Sequence, residues 1–159
     1  MALTIRPYEE TDRGFAVDLF VELNQLEYGI SGDRRTDRQT AQACVTEAEG
    51  LATDGDSVIL VALEGETPAG LMIWTPGRDD IFIEEAVRGY GRVSDIVVAE
   101  AYRGRGVGQA LLAEAERLTR SRGLKRLRLS VLAGNRTAMT AYERFGFRHY
   151  SSTMIKELD

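Results

Sequence analysis

The chain has 159 residues, a net charge of −5 at neutral pH, and the apolar (43%) and charged (28%) fractions of an ordinary globular protein. That length buries one real core and is too short for two, so a single domain over residues 1–159 is expected. The negative charge disfavours a nucleic-acid partner held by phosphate neutralisation, and weakly steers small cationic or amine ligands toward the surface. Cys44 is the only cysteine, which excludes an internal disulfide and any multi-cysteine metal site, and the lone His149 adds no ligand partner. Residues 1–10 hold no apolar signal core, and no run approaches the ~18 apolar residues of a membrane span. A cytoplasmic protein with no metal and no membrane partner is expected.

In chain order, Leu3-Thr4-Ile5-Arg6 reads as a short strand stopped by Pro7. Glu9 to about Gly29 is helical, with Phe15, Leu19, Leu23 and Leu26 recurring at turn spacing. Gly29 to Asp33 is a loop, and a second helix from about Thr36 to Glu49 carries Ala41, Cys44, Val45 and Ala48 on one side. Ser57–Leu63 and Ala69–Trp74 are strands joined by a turn at Glu64-Gly65-Glu66. Thr75 to Tyr90 is a long connection with no clear period, containing Asp79-Asp80 and Glu84-Glu85. Arg92 to Val98 is a strand apolar on both faces at its end, hence central. After a glycine-dense turn, Val107, Leu111, Ala115 and Leu118 mark a helix to about Arg122. Leu124 to Leu132 alternates Leu127, Leu129 and Val131 against Arg126, Arg128 and Ser130, a half-buried strand. A short helix from Asn135 follows, and Tyr150 to about Glu157 closes as a strand.

The turn Arg103-Gly104-Arg105-Gly106-Val107-Gly108 carries the most chemical information. A strand feeds it and a helix leaves it. Glycines let backbone approach a ligand closely, and a helix start offers unpaired N–H groups at a positive dipole end, so the turn reads as a phosphate cradle. It is not a nucleoside-triphosphate loop, because no Gly-Lys dipeptide occurs in the chain. Nor is it a dinucleotide fingerprint, because Gln109, Ala110 and Leu111 follow Gly106-Val107-Gly108. A tight turn without a ligand remains the other reading of these six residues.

A second constellation lies downstream. Asn135 and Tyr142 are two helical turns apart, so both project from one face, with the small Ala138 between them. Gly146-Phe147 is a helix stop. Locally these residues also fit an N-cap and a half-buried core aromatic. Together, Arg-x-x-Gly-x-Gly and the later N-x-x-A-x-x-x-Y-x-x-x-G-F resemble the coenzyme A loop and fourth-helix motif of the GCN5-related N-acetyltransferases. The specific motifs span residues 92–147, and the order β-α-α-β-β-β-α-β-α-β agrees along the rest.

The resemblance implies a single-domain α/β fold, with a mixed central sheet of six to seven strands flanked by about four helices. It implies acetyl-CoA as cofactor and a primary amine, on a small molecule or a peptide, as acceptor. The pantetheine arm would lie against the backbone of Ile96, Val97 and Val98. The amides of Arg103, Gly104, Arg105, Gly106, Val107 and Gly108, with Gln109 in the first turn, would take the pyrophosphate. The Arg103 and Arg105 side chains would assist or simply be solvated. Asn135 would orient the pantetheine amides, Ala138 would leave room, and Tyr142 would protonate the departing thiolate. Asp95, placed by strand alternation on one face with Val93 and Val97, is the candidate base, its pKa raised by apolar neighbours; a hydrogen bond to nearby backbone is the competing reading. Glu84 and Glu85 are fallback bases, and Glu27 and Tyr28 could line the acceptor groove. No cysteine lies in either motif, so direct transfer in a ternary complex is expected. A non-catalytic acyl-CoA-binding domain is the alternative; an RNA-acetylating enzyme would want a basic face. Little chain follows Phe147, which leaves room for only an abbreviated form of the hairpin that many members place over the acceptor. A homodimer stays open.

Overall fold

A computed structural model describes residues 2–158; Met1 and Asp159, the ends of the expected 1–159 domain, lie outside the described residues. The strands are β1 (Leu3–Pro7), β2 (Val58–Glu64), β3 (Thr67–Arg78), β4 (Gly89–Val98) and β5 (Leu127–Leu129). The helices are α1 (Arg13–Ser31), α2 (Arg38–Thr53), a single turn α3 (Glu85–Arg88), α4 (Val107–Ser121) and α5 (Arg136–Phe145). One sheet runs β1-β2-β3-β4-β5, antiparallel except for the parallel β4–β5 pair. No helix of the described residues is long and apolar enough to cross a membrane.

The unbroken apolar runs of β2 and β3 arise because both sheet faces are covered. Ile59, Val61, Leu71 and Ile73 pack with Leu19 and Val45 of α1 and α2. Leu60, Ala62, Met72 and Trp74 pack with Leu111 and Ala115 of α4. Trp74 is fully buried, and its indole N–H donates to Thr119 Oγ1 at 3.0 Å, while that hydroxyl donates to the Ala115 carbonyl. Gly91 makes this pair fit: a Cβ there would stand 2.2 Å from Thr119 Oγ1 and 2.5 Å from the indole nitrogen.

Four expectations are corrected. Among the described residues the sheet has five strands rather than six to seven, flanked by four longer α-helices and the single turn α3, in line with the expected four or so. The closing strand over Tyr150–Glu157 is absent, since those residues pair with nothing and are exposed. The strand expected over Leu124–Leu132 forms ladder bonds only at Leu127–Leu129, because only there does β4 run beside it. Much of the 75–90 connection is instead ladder: β3 runs on to Arg78 and β4 starts at Gly89. Pro76 hid this. β2 pairing ends at Val58–Trp74, so Pro76 has a neighbour strand on one side only and its missing N–H costs nothing.

Gly91→Ala is expected to destabilise the fold by roughly 1–3 kcal/mol through overpacking, read as a lower urea midpoint. Gly50→Ala, in α2 with open space around it, should instead stabilise by roughly 0.5–1 kcal/mol.

Candidate active site

The site begins with an irregularity in β4. Ile73 pairs with Asp95 and the next residue, Trp74, pairs with Val93, so Ser94 is an extra residue, a β-bulge. Alternation restarts across it. Val93 faces α4 and Trp74, whereas Val97 lies in the α1–α2 core with Ile73. The expectation that Val93, Asp95 and Val97 share one face is therefore corrected: the bulge turns Asp95 and Val97 to the α1–α2 side. The Ser94 hydroxyl sits 3.0 Å from that of Thr75, which holds the bulge from β3.

At the same point the parallel strands part. The β4–β5 ladder ends at Val93–Leu129. Past it opens a cleft of about 620 Å³ between β4 residues 94–98 and Ser130–Leu132. α5 forms another wall with Asn135, Ala138, Ala141 and Tyr142; Gly108 and Gln109 close one end, and Leu23, Leu26, Glu27 and Ile30 of α1 roof it. Backbone direction follows from one bond: Ala99 N donates to Ala69 O at 2.9 Å, so alternate residues Val97 and Asp95 turn their main chains to β3. Ile96 and Val98 turn theirs into the gap. Of the three residues expected to offer backbone there, Val97 does not.

The glycine-dense turn lies at the end of the gap. Gly104 (φ +74°) and Gly106 (φ +85°) take left-handed conformations that a side chain would strain, and Gly106 caps α4. No backbone carbonyl among the described residues accepts from the amides of Gly104, Arg105, Gly106, Val107, Gly108 or Gln109. Val107 is buried under Leu60 and Trp74 and anchors the turn. Gly108 faces open space, a Cβ there meeting only Val98 Cγ2 at 3.7 Å. Arg103 donates from Nε to the Val98 carbonyl at 3.0 Å and pairs with Glu22. Arg105 instead pairs with Glu64 at 2.8 Å and lies over the Tyr102 ring, outside the cleft wall.

Asn135 caps α5, its Oδ1 accepting from Ala138 N at 3.2 Å, which leaves Nδ2 free to donate. Tyr142 stands two turns on and lines the cleft. Burial, and next Glu27, push its hydroxyl's pKa above the ordinary phenol value. Burial, with the Glu27 carboxylate second and Arg92 opposing, raises Asp95 to about 6. Neither the Asp95 carboxylate nor the Tyr142 hydroxyl has a hydrogen-bond partner among the described residues, so the backbone bond considered for Asp95 is not made. Glu27 lines the cleft, tied to Arg34 at 2.6 Å. Tyr28 is exposed and does not line it. Glu85 pairs with Arg78 and Arg88, and Glu84 precedes α3; both lie away from the cleft. The sequence reading missed Ser94 and Ser130, which carry no local signal, and the roof residue Ile30, which continues the Leu23–Leu26 stripe. No cluster of metal ligands occurs among the described residues.

Residues 17–147 match the acetyltransferase (GNAT) family, and the chain belongs to it. The uncharacterized N-acetyltransferase YycN of Bacillus subtilis is 38% identical over 66 residues, 42% of either protein, so the chain spans less than half the length of that curated relative. The spermine/spermidine N(1)-acetyltransferase of the same organism is 27% identical across 99% of this chain and 100% of its own length. In fold, the chain is similar to the aminoglycoside N-acetyltransferase AAC(6')-Iy, solved with a CoA bisubstrate analogue, at TM-score 0.74 and 14% identity over 100% and 99% of the two chains.

A carboxyl group whose folded pKa lies above its unfolded value holds its proton more tightly in the native state. Asp95 therefore costs stability as pH rises from about 4 through about 6, and the cost is complete above that. Asp95→Asn should raise the urea midpoint at pH 8 and leave it unchanged below about pH 4. Equal gains at both pH values would contradict this environment for Asp95.

Proposed function

We propose that the protein is an acetyl-CoA-dependent N-acetyltransferase that acetylates a primary amine by direct transfer in a ternary complex. The observation that carries this reading is one continuous cleft with free backbone amides at one end and two unpartnered, pKa-raised groups, Asp95 and Tyr142, on its walls. The residues fit the donor. Free N–H groups at a helix start suit a pyrophosphate, the open side of Gly108 gives it access, and the turned-in backbone of Ile96 and Val98 suits an extended amide-bearing arm. Arg103, lying across the Val98 carbonyl, must swing away from that arm and is then near enough to serve as a cation. Asn135 Nδ2 is the remaining side-chain donor along the path.

When bound, the donor supplies an acetyl thioester. Asp95, ionised above its pKa of about 6, accepts the ammonium proton of the acceptor directly or through one water. The Glu27 carboxylate beside it adds to a field that draws cations. The Tyr142 hydroxyl keeps its proton at neutral pH and gives it to the departing thiolate. Both catalytic groups are absent from the requirements of a domain that only binds acyl-CoA, and their placement disfavours that alternative. The names of relatives and neighbours point to spermine/spermidine and aminoglycosides, all amines, which supports an amine acceptor for this chain.

Turnover is tested by following thiol release from acetyl-CoA across a panel of polyamines, aminoglycosides, amino acids and peptides. Tyr142→Phe keeps the ring against Phe147 and should lower turnover by roughly a hundredfold to ten-thousandfold with coenzyme A affinity little changed. Gly108→Trp should abolish coenzyme A binding in a folded protein, and unchanged affinity would sink the site assignment. In the parent, kcat/KM should climb as pH passes through about 6, and Asp95→Asn should lose that limb together with most of the rate.

A further inference from the structure

Arg92 of β4 is a cation without a partner beside the proposed base. Its neighbours set the side on which it stands. A Cβ at Gly91 would meet Trp74 and Thr119, and Val93 packs in the same core, so both face α4 and Arg92 faces the opposite, α1–α2 side. Asp95 lies on that side too. Arg92 pairs with Thr75 and Asp95 with Ile73, so the bulge leaves the two residues two strand steps apart, about 6–7 Å. The charges acting on Asp95 are the carboxylates of Glu27 on α1 and Glu47 on α2 and, opposing them, Arg92.

The other cations of this face are engaged. Arg128 stands directly opposite Arg92 on β5. It donates to both oxygens of Asp79 and lies over the rings of Tyr90 and Tyr150, at 4.0 and 4.8 Å. Tyr90 is fixed in turn against Gly77, where a Cβ would stand 2.5 Å from its ring. Arg126 lies against Tyr150 at 5.8 Å. Arg92 is exposed, and its side chain makes no ion pair or hydrogen bond among the described residues. Like charges placed opposite each other on paired strands repel. Asp79 relieves Arg128, and the charge of Arg92 stays uncompensated.

The cofactor does not account for this charge. Val93 to Val98 line the cleft as β4 runs toward the glycine-dense turn, and Arg92 is the residue just outside, at the end far from the free amides. That end is where Asp95 and Glu27 would receive an ammonium group. A simple amine or a polyamine would bring Arg92 only more positive charge. A guanidinium is a planar fork that matches the oxygens of a carboxylate or a phosphate.

We propose that Arg92 selects the acceptor: a primary amine that also carries a carboxylate or phosphate a few bonds from its nitrogen, the amine lying at Asp95 and the acid at Arg92. This rests on the acetyltransferase reading above and narrows its acceptor.

Matched acceptors that differ only in the acid test it: amino acids against the amines that lack the carboxyl group, and phosphorylated amino alcohols against the unphosphorylated ones. At pH 8, above the titration of Asp95 near 6, the acid-bearing member should show kcat/KM at least about tenfold higher, carried by KM. The pair that shows it tells carboxylate from phosphate. Arg92→Gln should abolish the preference by raising KM for the acid-bearing member, and Arg92→Lys, which keeps the charge, should retain most of it. Binding is read separately. In the coenzyme A complex the N-acetylated acid should raise the thermal transition of the parent but not of Arg92→Gln. Equal kcat/KM within both pairs overturns the inference, as does a preference that survives Arg92→Gln, and either leaves the acetyltransferase reading standing. Stabilisation by the acid that Arg92→Gln removes, without turnover of any acceptor, supports the acid contact and overturns the reading of the reaction. Absence of both overturns both.

Discussion

The site depends on one inserted residue. Were Ser94 paired in regular register instead of bulged, strict alternation along β4 would aim Asp95 into the α4 core beside Val93 and Trp74, where an ionisable carboxyl has no access to a ligand. The bulge sends it to the other face instead, under the roof of α1. A bulge also sharpens local twist and bends its strand, and the β4–β5 ladder ends at the residue before it. The gap between the strands and the carboxyl beside it thus share one local cause. The Thr75–Ser94 hydroxyl contact fixes the position of that bend from a buried residue of β3, on the rigid side of the sheet.

What surrounds the bulge explains how the cleft can be polar in part and still belong to a stable domain. The β1–β4 portion is sealed on both faces, with Trp74 and Thr119 satisfying each other in the interior. The cost of opening falls on the thin part, where β5 contributes three residues and α5 has no fully buried side chain. Thinness there frees Ser130–Leu132 and the N-terminal half of α5 to serve as walls rather than as core.

The legible parts of the sequence were those governed by local rules. The turns of α4 and α5 were visible because left-handed glycines and an Asn cap leave fixed signatures. The edges of elements were less so. Pro76 and Gly77 read as breakers, yet lie in a strand with one open side. The Tyr150–Glu157 segment has strand-like residues but no strand within reach on its own face, and propensity alone does not make a ladder. The bulge was invisible for a different reason. Ser94 breaks no composition rule, and its effect exists only as a difference in register between two strands. The cleft residues that fell on the motif side of the bulge were found; those whose place depends on tertiary packing, such as Ile30 and Ser130, were not.

Charge raises an apparent conflict between an acidic protein and a phosphate-bearing ligand. It resolves once the source of positive potential is located. Arg105 spends its charge on Glu64 and Arg103 on Glu22, so in this arrangement neither guanidinium is free in the cleft. The unpaired amides from Gly104 to Gln109 remain, and they supply oriented partial charge at the end of α4 without adding to the net charge. The two ends of the cleft can then differ in sign. In the proposed function, backbone dipoles would hold an anion at one end, while Asp95 and Glu27 would draw a cation toward the bulge. A protein with net charge −5 need not compromise either interaction, because one is made by main chain and the other by side chains on a separate wall.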